Sequence, residues 1–321
     1  MSVYDNQTLL IIGAGGQDAF LLAQKYANSR NQIIGVRNPH SQIAFPQKFS
    51  QNKYYNKVFS LDLASWPTCI DFLDSIKPNR IIHAAAVHAN SSIMNSFATM
   101  NLERIRMTSI QIVEHVLSWQ SKNTYCKSLF LNSSQIFGES QGVVDSNYPH
   151  FPQNQYAKHK SLAFILIKDF QSLGIDARSA ILFPHTSPFS TKQFLFQEIA
   201  KQICIEQSSP KVIRLVNSLK SLDISDARDM ACWLYDFFES DSFGLNCVFG
   251  SGKLFKIRDI IFDALEMMNR QDFRIEDIAP EETRTCRAST AEMLRFLPEW
   301  RIGRLPSLTL VDIIRFFSKQ I

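Results

Sequence analysis

An α/β fold with a doubly wound parallel sheet is what this chain of 321 residues predicts, on three observations. Through the first half, short apolar runs alternate with longer amphipathic stretches. The first run, Leu9-Leu10-Ile11-Ile12, passes straight into Gly13-Ala14-Gly15-Gly16, and that turn opens a helix near Asp18. Beyond Phe183-Pro184 the alternation breaks and the order becomes irregular. Regular alternation implies parallel strands joined by right-handed crossovers, with helices on both faces. The expected division is a dinucleotide-binding part at 1–183 and a smaller C-terminal α/β cap at 184–321. Such a cap would close the carboxyl edge of the sheet and form one wall of a cleft.

Taken in order, strands are expected at 8–12, 32–36, 57–60, 80–84, 128–132 and 176–182. Each is a short run that a sheet covered on both faces can bury. Between them, amphipathic helices are expected to begin near Asp18, Trp66, Met100 and Gln155. In the second half, helices are expected at 191–207, 227–240, 256–268, 290–296 and 309–319, with short strands at 212–215 and 247–249. Trp233 and Phe237, four residues apart, read as the packed face of one helix.

Composition narrows the function classes. Hydrophobic residues make up 45% and charged residues 20% of the chain, an ordinary globular balance. The net charge of +4 comes without a basic run, so nucleic-acid binding is not expected. No apolar run approaches the roughly 18 residues a membrane span needs. The six cysteines are scattered without a Cys-x-x-Cys pair, which disfavours a disulfide framework and a structural zinc site. No metal site is expected. Met1-Ser2-Val3-Tyr4-Asp5 lacks the start of a secretory signal, and a cytoplasmic location is expected.

The glycine turn carries the first chemical reading. Gly13 and Gly16 permit a tight turn and let backbone N–H groups approach a pyrophosphate at a helix N-terminus. Ala19 is small enough for that helix to pack on the strand, giving the spacing G-x-x-G-x-x-A. Arg37 follows the second strand, where a cation suits the 2′-phosphate of NADP(H) and an acid would suit NAD. Its plainer reading is a solvated arginine at a strand end. Asp62 ends the third strand and could meet an adenine amino group, or serve as an acid before the helix at Trp66.

The second reading rests on Tyr156 and Lys160, four apart on one helical face, with Ser133 upstream at a strand end. A cation beside a phenol favours phenolate, so Tyr156 could work as acid or base, and Ser133 could hold the same substrate oxygen. The three together suit removal of a hydroxyl proton while hydride leaves the carbon.

With these motifs in place, the chain resembles the extended short-chain dehydrogenases/reductases, in the nucleotide-sugar epimerase and dehydratase group. It is most similar there to the GDP-mannose 4,6-dehydratase branch. Gly16-Gln17-Asp18, Ala84-Ala85-Ala86-Val87-His88, Leu182-Phe183-Pro184-His185-Thr186-Ser187-Pro188 and Asp223-Ile224-Ser225-Asp226-Ala227-Arg228-Asp229 carry the likeness. The resemblance implies a Rossmann-type fold and an NADP(H)-dependent enzyme that oxidises a nucleotide-linked hexose at C4. It implies Ser133, Tyr156 and Lys160 as catalytic residues. Cofactor contacts would fall at Gly13, Gly15, Gly16, Gln17, Asp18, Arg37, Asp62, Leu63, Ala84, Ala85, Lys160 and His185. Substrate contacts are implied at His88 and Ser133, and a homodimer or homotetramer is implied.

Departures from the branch lie on the sugar side. Gln135 stands where these dehydratases carry a glutamate that drives elimination, and an amide cannot take a carbon-bound proton. Pro184, Leu222 and Ala279 replace an asparagine and two arginines, which leaves Lys220, Arg284 or Arg287 to face a diphosphate. Keto reduction or epimerisation is therefore an alternative to dehydration, and a non-catalytic NADP(H)-binding protein is another.

Overall fold

The computed structural model describes residues 7–27, 31–39, 53–86, 103–191, 194–205, 211–270 and 272–319. Seven strands form the central sheet: β1 (Thr8–Ile12), β2 (Gln32–Arg37), β3 (Lys57–Ser60), β4 (Arg80–His83), β5 (Lys127–Ser133), β6 (Ala177–Leu182) and β7 (Asn246–Phe249). Their order is β7-β6-β5-β4-β1-β2-β3, and the pairs from β6 across to β3 are parallel. At the β6 edge, Ser179 donates to the Leu245 carbonyl and Phe183 to that of Phe249, so both chains advance in the same sense. The fold is a Rossmann-like α/β fold. After β3 the chain returns to the other side of β1, so β1 and β4 flank the switch point where doubly wound sheets open a crevice.

Burial explains why these runs become strands. Leu9, Leu10, Ile11 and Ile12 are all buried, as are all six residues of β6. Each such aliphatic side chain contributes about 1.5–3 kcal/mol of transfer free energy. The flanking helices include α1 (Gln17–Tyr26), α2 (Trp66–Ile76), α3 (Ile112–Gln120) and α4 (Gln155–Ser172). Lys77, in the left-handed region at φ 44°, ends α2. Just before α3 the backbone widens into a π-helical turn at Met107–Gln111. Leu10, Ile12, Val36, Leu73, Ile81, Val116, Phe130 and Ile167 belong to the core of this part.

Two compact units are present. The first comprises 1–138, 149–182 and 234–247; the second comprises 139–148, 183–233 and 248–321. Helices α5 (Leu195–Ile205), α6 (Ala227–Glu239), α7 (Ile257–Met267), α8 (Thr290–Phe296) and α9 (Pro306–Ser318) complete the set used below. The second unit has its own core, in which Ile199, Ile203, Ile213, Ile261, Leu310 and Ile314 meet.

Sequence and structure differ at particular elements. The expected short strand at 247–249 was read as part of the cap; it joins the central sheet as β7. Phe273–Asp277, not expected as a strand, pairs in parallel with Lys211–Leu215. Its alternate residues are exposed and charged, Arg274 and Glu276, so the run lacks a continuous apolar signal. The last helix starts at Pro306, whose fixed φ suits a first turn, and not at Thr309. The helix start expected near Met100 lies outside the described residues. No described helix is long and apolar enough to cross a membrane.

One polar cluster at the beginnings of the sheet strands completes the first unit. Arg80 opens β4 and places two N–H groups on the Glu239 carboxylate, both at 2.9 Å. The Tyr26 hydroxyl donates to the same carboxylate at 2.7 Å. Lys127 opens β5 and donates to the Phe238 carbonyl at 2.6 Å, while Arg178 in β6 donates to the Phe237 and Ser240 carbonyls. Three cations thus satisfy the carbonyl-rich end of α6 and the carboxylate beside it.

Candidate active site

The glycine turn leaves β1 with the backbone pinned on one side. Gly13 and Ala14 donate to the Val36 carbonyl at 2.8 and 2.9 Å, and Gly16 donates back to Gly13 at 2.9 Å. Gly13 has φ +94°, and a Cβ there would stand 2.6 Å from the Ala85 nitrogen. Only glycine permits this approach of β1 to the chain leaving β4. Gly16 is the N-cap of α1, and no side chain caps that helix. The glycine turn thus leads directly into the helix N-terminus, an arrangement suited to a diphosphate. These residues fit a dinucleotide: a glycine-rich turn at the start of a helix whose N-cap residue carries no side chain.

The other residues expected at the cofactor vary in what they offer. Gly15, Gln17 and Asp18 are half-buried in and after the turn, and Gln17 donates to the Asp18 carboxylate at 3.3 Å. Arg37 is exposed at the end of β2, paired in register with Ser60. Asp62 lies close by and accepts from the Ala64 backbone at 3.1 Å and from Asn38 at 3.3 Å. Its local role is thus to hold a turn; Ser65, not Asp62, is the N-cap of α2. Leu63 is buried in the core, so its side chain faces away from solvent. Ala84 and Ala85 follow β4, and Ala84 donates to the Ile12 carbonyl at 2.9 Å. His185 and Arg284 lie in the second unit. There His185 Nδ1 is 2.7 Å from the Phe183 carbonyl, and Arg284 is exposed beside Ser221. His88 lies outside the described residues.

Ser133, Tyr156 and Lys160 come together. Ser133 ends β5, and its hydroxyl accepts from the Gln135 backbone at 3.3 Å. Tyr156 stands in the first turn of α4, buried, with its hydroxyl hydrogen-bonded to the Ser133 side chain. One turn on, the Lys160 ammonium is 5.9 Å from the Tyr156 ring centre and donates to the Leu131 carbonyl at 2.8 Å. The Asn132 amide donates to the Lys160 carbonyl at 3.1 Å, tying α4 to β5. Asp18 bears electrostatically on Tyr156, which connects the glycine-turn helix with the phenol.

Electrostatics correct one expectation. Lys160 was expected to draw the Tyr156 pKa down. Instead burial dominates and pushes the phenol up to about 12, with Asp18 adding to the rise and the Ser133 hydrogen bond opposing it. Lys160 is itself only 3% exposed, and burial lowers its pKa to about 8. It is the desolvation of the phenol itself that decides the direction of its shift. From sequence, His83, the last residue of β4, was weighed only as a metal ligand and set aside. It is fully buried, and burial followed by the charge of Lys160 lowers its pKa to about 3. Among the described residues its Nε2 meets no hydrogen-bond partner. Its nearness to Lys160 gave no signal because the two lie far apart along the chain.

Comparison with known proteins supplies the family. The model of the GDP-mannose 4,6 dehydratase family matches residues 10–296. The chain belongs to this family, one of NAD(P)-dependent nucleotide-sugar dehydratases and epimerases. A GDP-mannose 4,6-dehydratase of Sinorhizobium fredii is 22% identical over 274 residues, 82% of this chain and 76% of that one. Among solved structures, a UDP-N-acetylglucosamine 4-epimerase from Methanobrevibacter ruminantium superposes with TM-score 0.82 at 16% identity. The match covers 99% of this chain and all of the other. RMD from Pseudomonas aeruginosa, solved with NADPH, gives TM-score 0.75 at 18% identity over 98% and 99% of the two chains. At these identities the structural likeness speaks for the fold.

Proposed function

We propose that this protein is an NADP(H)-dependent enzyme that oxidises and reduces C4 of a nucleotide-linked hexose. The observation that carries the reading is the joining of Ser133, Tyr156 and Lys160 in one unit with the glycine-turn helix. Gly13, Gly15 and Gly16 would line the diphosphate, with Gln17, Asp18, Ala84 and Ala85 around it. Arg37, exposed at the end of β2, would meet a 2′-phosphate as a cation, which favours NADP(H) over NAD. A bound nicotinamide accepts or returns the hydride. Ser133 would hold the C4 oxygen by its hydroxyl, and Tyr156 would take and return the C4 hydroxyl proton. Lys160 would supply positive charge beneath the phenol and donate towards a ribose hydroxyl. His185, Arg284 and His88 are retained as candidates for cofactor and substrate contacts.

Within this chemistry, 4-keto reduction or epimerisation is favoured over dehydration by Gln135. Its side chain is an amide held by Asn154 at 3.2 Å, and an amide does not abstract a carbon-bound proton. A homodimer or homotetramer is also proposed. Leu162 and Ile165 stand 53% and 50% exposed on α4, an apolar face that a second copy would cover.

Tyr156→Phe tests the reading. Turnover of a nucleotide 4-keto-hexose with NADPH should fall by about 10²–10⁴-fold, the usual worth of a positioned acid/base. NADPH affinity, read by fluorescence titration, should hold within about twofold. A variant with undiminished turnover, or a wild-type chain that takes up no dinucleotide, overturns the proposal.

A further inference from the structure

The loop that follows β3 is held from behind by a buried residue of α3. His115 stands in that helix with Nδ1 3.0 Å from the Leu63 carbonyl. A carbonyl can only accept, so the ring carries a proton on Nδ1 and donates it. The Trp66 ring meets the imidazole edge-on, with centroids 4.9 Å apart and planes at 78°, and braces it. The Leu63 carbonyl and the Ala64 N–H belong to one planar peptide unit. At its other end this unit donates from Ala64 to Asp62 Oδ1 at 3.1 Å. His115 therefore settles the plane of the peptide, and the peptide settles the Asp62 carboxylate. Asn38 donates to the same Oδ1 at 3.3 Å. Leu61 donates to the Arg37 carbonyl at 3.0 Å, which ties the loop to the end of β2 as well. Both bonds to Asp62 thus fall on one oxygen, and among the described residues none meets Oδ2.

We propose that His115 is a positioning residue for base recognition in the cofactor. By pinning the Leu63–Ala64 peptide it aims the Asp62 carboxylate, whose Oδ2 accepts from the exocyclic amine of adenine. This rests on the proposed reading, in which a dinucleotide lies on the glycine turn with its 2′-phosphate beside Arg37. Arg37 and Ser60 are partners in register at the ends of β2 and β3, so the base of that nucleotide lies towards the loop after β3. A carboxylate is an acceptor only. It selects an amine and repels a carbonyl oxygen standing in the same place. The class recognised is thus an adenine dinucleotide, and the hypoxanthine counterpart is refused. His115 touches no cofactor atom in this account. It acts through one peptide unit, and its loss would let that unit turn and release the carboxylate.

The test is equilibrium binding, so it does not depend on turnover. Dissociation constants of the full chain are measured by fluorescence titration for NADPH and for its hypoxanthine analogue. Wild type should prefer the adenine form by about tenfold or more. Asp62→Asn offers either an oxygen or a nitrogen and should bind the two within about twofold of each other. His115→Leu leaves the peptide unpinned, and the preference should shrink about fivefold through weaker NADPH binding. His115→Asn keeps a donor near the Nδ1 position and should retain the wild-type ratio. Packing alone would weaken both dinucleotides together and leave the ratio where it was. Imidazole nitrogen NMR of the wild-type chain should show His115 protonated on Nδ1, a readout that stands even where His115→Leu does not fold. Equal binding of both dinucleotides by wild type, an unchanged ratio in His115→Leu, a lost ratio in His115→Asn or a proton on Nε2 overturns the inference. Each of these leaves the Tyr156 reading intact. A chain that takes up neither dinucleotide overturns both.

Discussion

Strands β4 and β5 carry buried polar clusters at both ends, and the two clusters are built on opposite principles. At their beginnings, Arg80, Lys127 and Tyr26 converge on Glu239, and every charge there has a partner of opposite sign or a carbonyl in line. At their ends, Lys160 sits beside Tyr156 and His83 and donates to the Leu131 carbonyl. Among the described residues no carboxylate pairs with it. The titration behaviour diverges accordingly. Glu239 is pushed up by burial, but the hydrogen bonds of Arg80 and Tyr26 and the charges of Lys127 and Arg80 outweigh this and hold it below its usual range. Lys160 has no such compensation and is dragged down to about 8. A satisfied cluster stabilises the fold, whereas an under-satisfied one keeps a cation available for chemistry at a cost in stability.

The contrast is broken most severely by Glu239→Ala. It leaves the buried Arg80 guanidinium without its carboxylate, and chemical denaturation should show a loss of about 3–5 kcal/mol. Dinucleotide affinity should be unchanged, because this cluster lies at the strand starts. Equal stability in variant and wild type would mean that the network contributes nothing. Lys160→Met asks the reverse question. Removing an under-compensated buried charge should raise stability by about 1–3 kcal/mol while turnover is lost. A destabilised Lys160→Met protein would show that the lysine is a structural strut and would erase the distinction drawn above.

A subtler distinction appears with pH. Lys160 has a folded pKa of about 8 against 10.5 in the unfolded chain. Between those values the unfolded state binds more protons, so this residue makes stability rise as pH increases through the window. Glu239 has a depressed folded pKa, so its stabilisation is full above the ordinary value of 4.5 and is lost as pH falls through the lower folded one. Denaturation midpoints measured from pH 7.5 to 10 should therefore rise less in Lys160→Met than in wild type. Midpoints from pH 5 down to 3 should fall less in Glu239→Gln.

The same contrast explains what could be read from the sequence. The glycine turn, the alternation of strand and helix, and the Tyr156–Lys160 spacing are local patterns, and local patterns survive in one dimension. The order in which Ser133 precedes Tyr156 was equally legible, since β5 ends two residues past its apolar run at 129–131. The Arg80–Glu239 pair was not legible, because its partners are 159 residues apart and neither stands in a motif. The Asn154–Gln135 bond escaped for a related reason: a cap is visible in sequence, but what its outward amide touches is not. The pKa of Tyr156 was misjudged because spacing showed the cation, while the depth of burial that outweighs it is a property of the packed unit. Strand β7 was placed in the wrong part because Asn246–Phe249 has nothing in its composition to say which sheet it extends.

That late strand has a consequence for how the protein is made. On the ribosome, β6 emerges long before β7, and at about 5–20 residues per second its open edge waits several seconds for a partner. During that interval a row of unpaired amides and carbonyls on a strand that is buried in the finished fold is exposed to neighbouring nascent chains. Synthesis speed and chaperone supply, more than final stability, should therefore govern the yield of soluble protein.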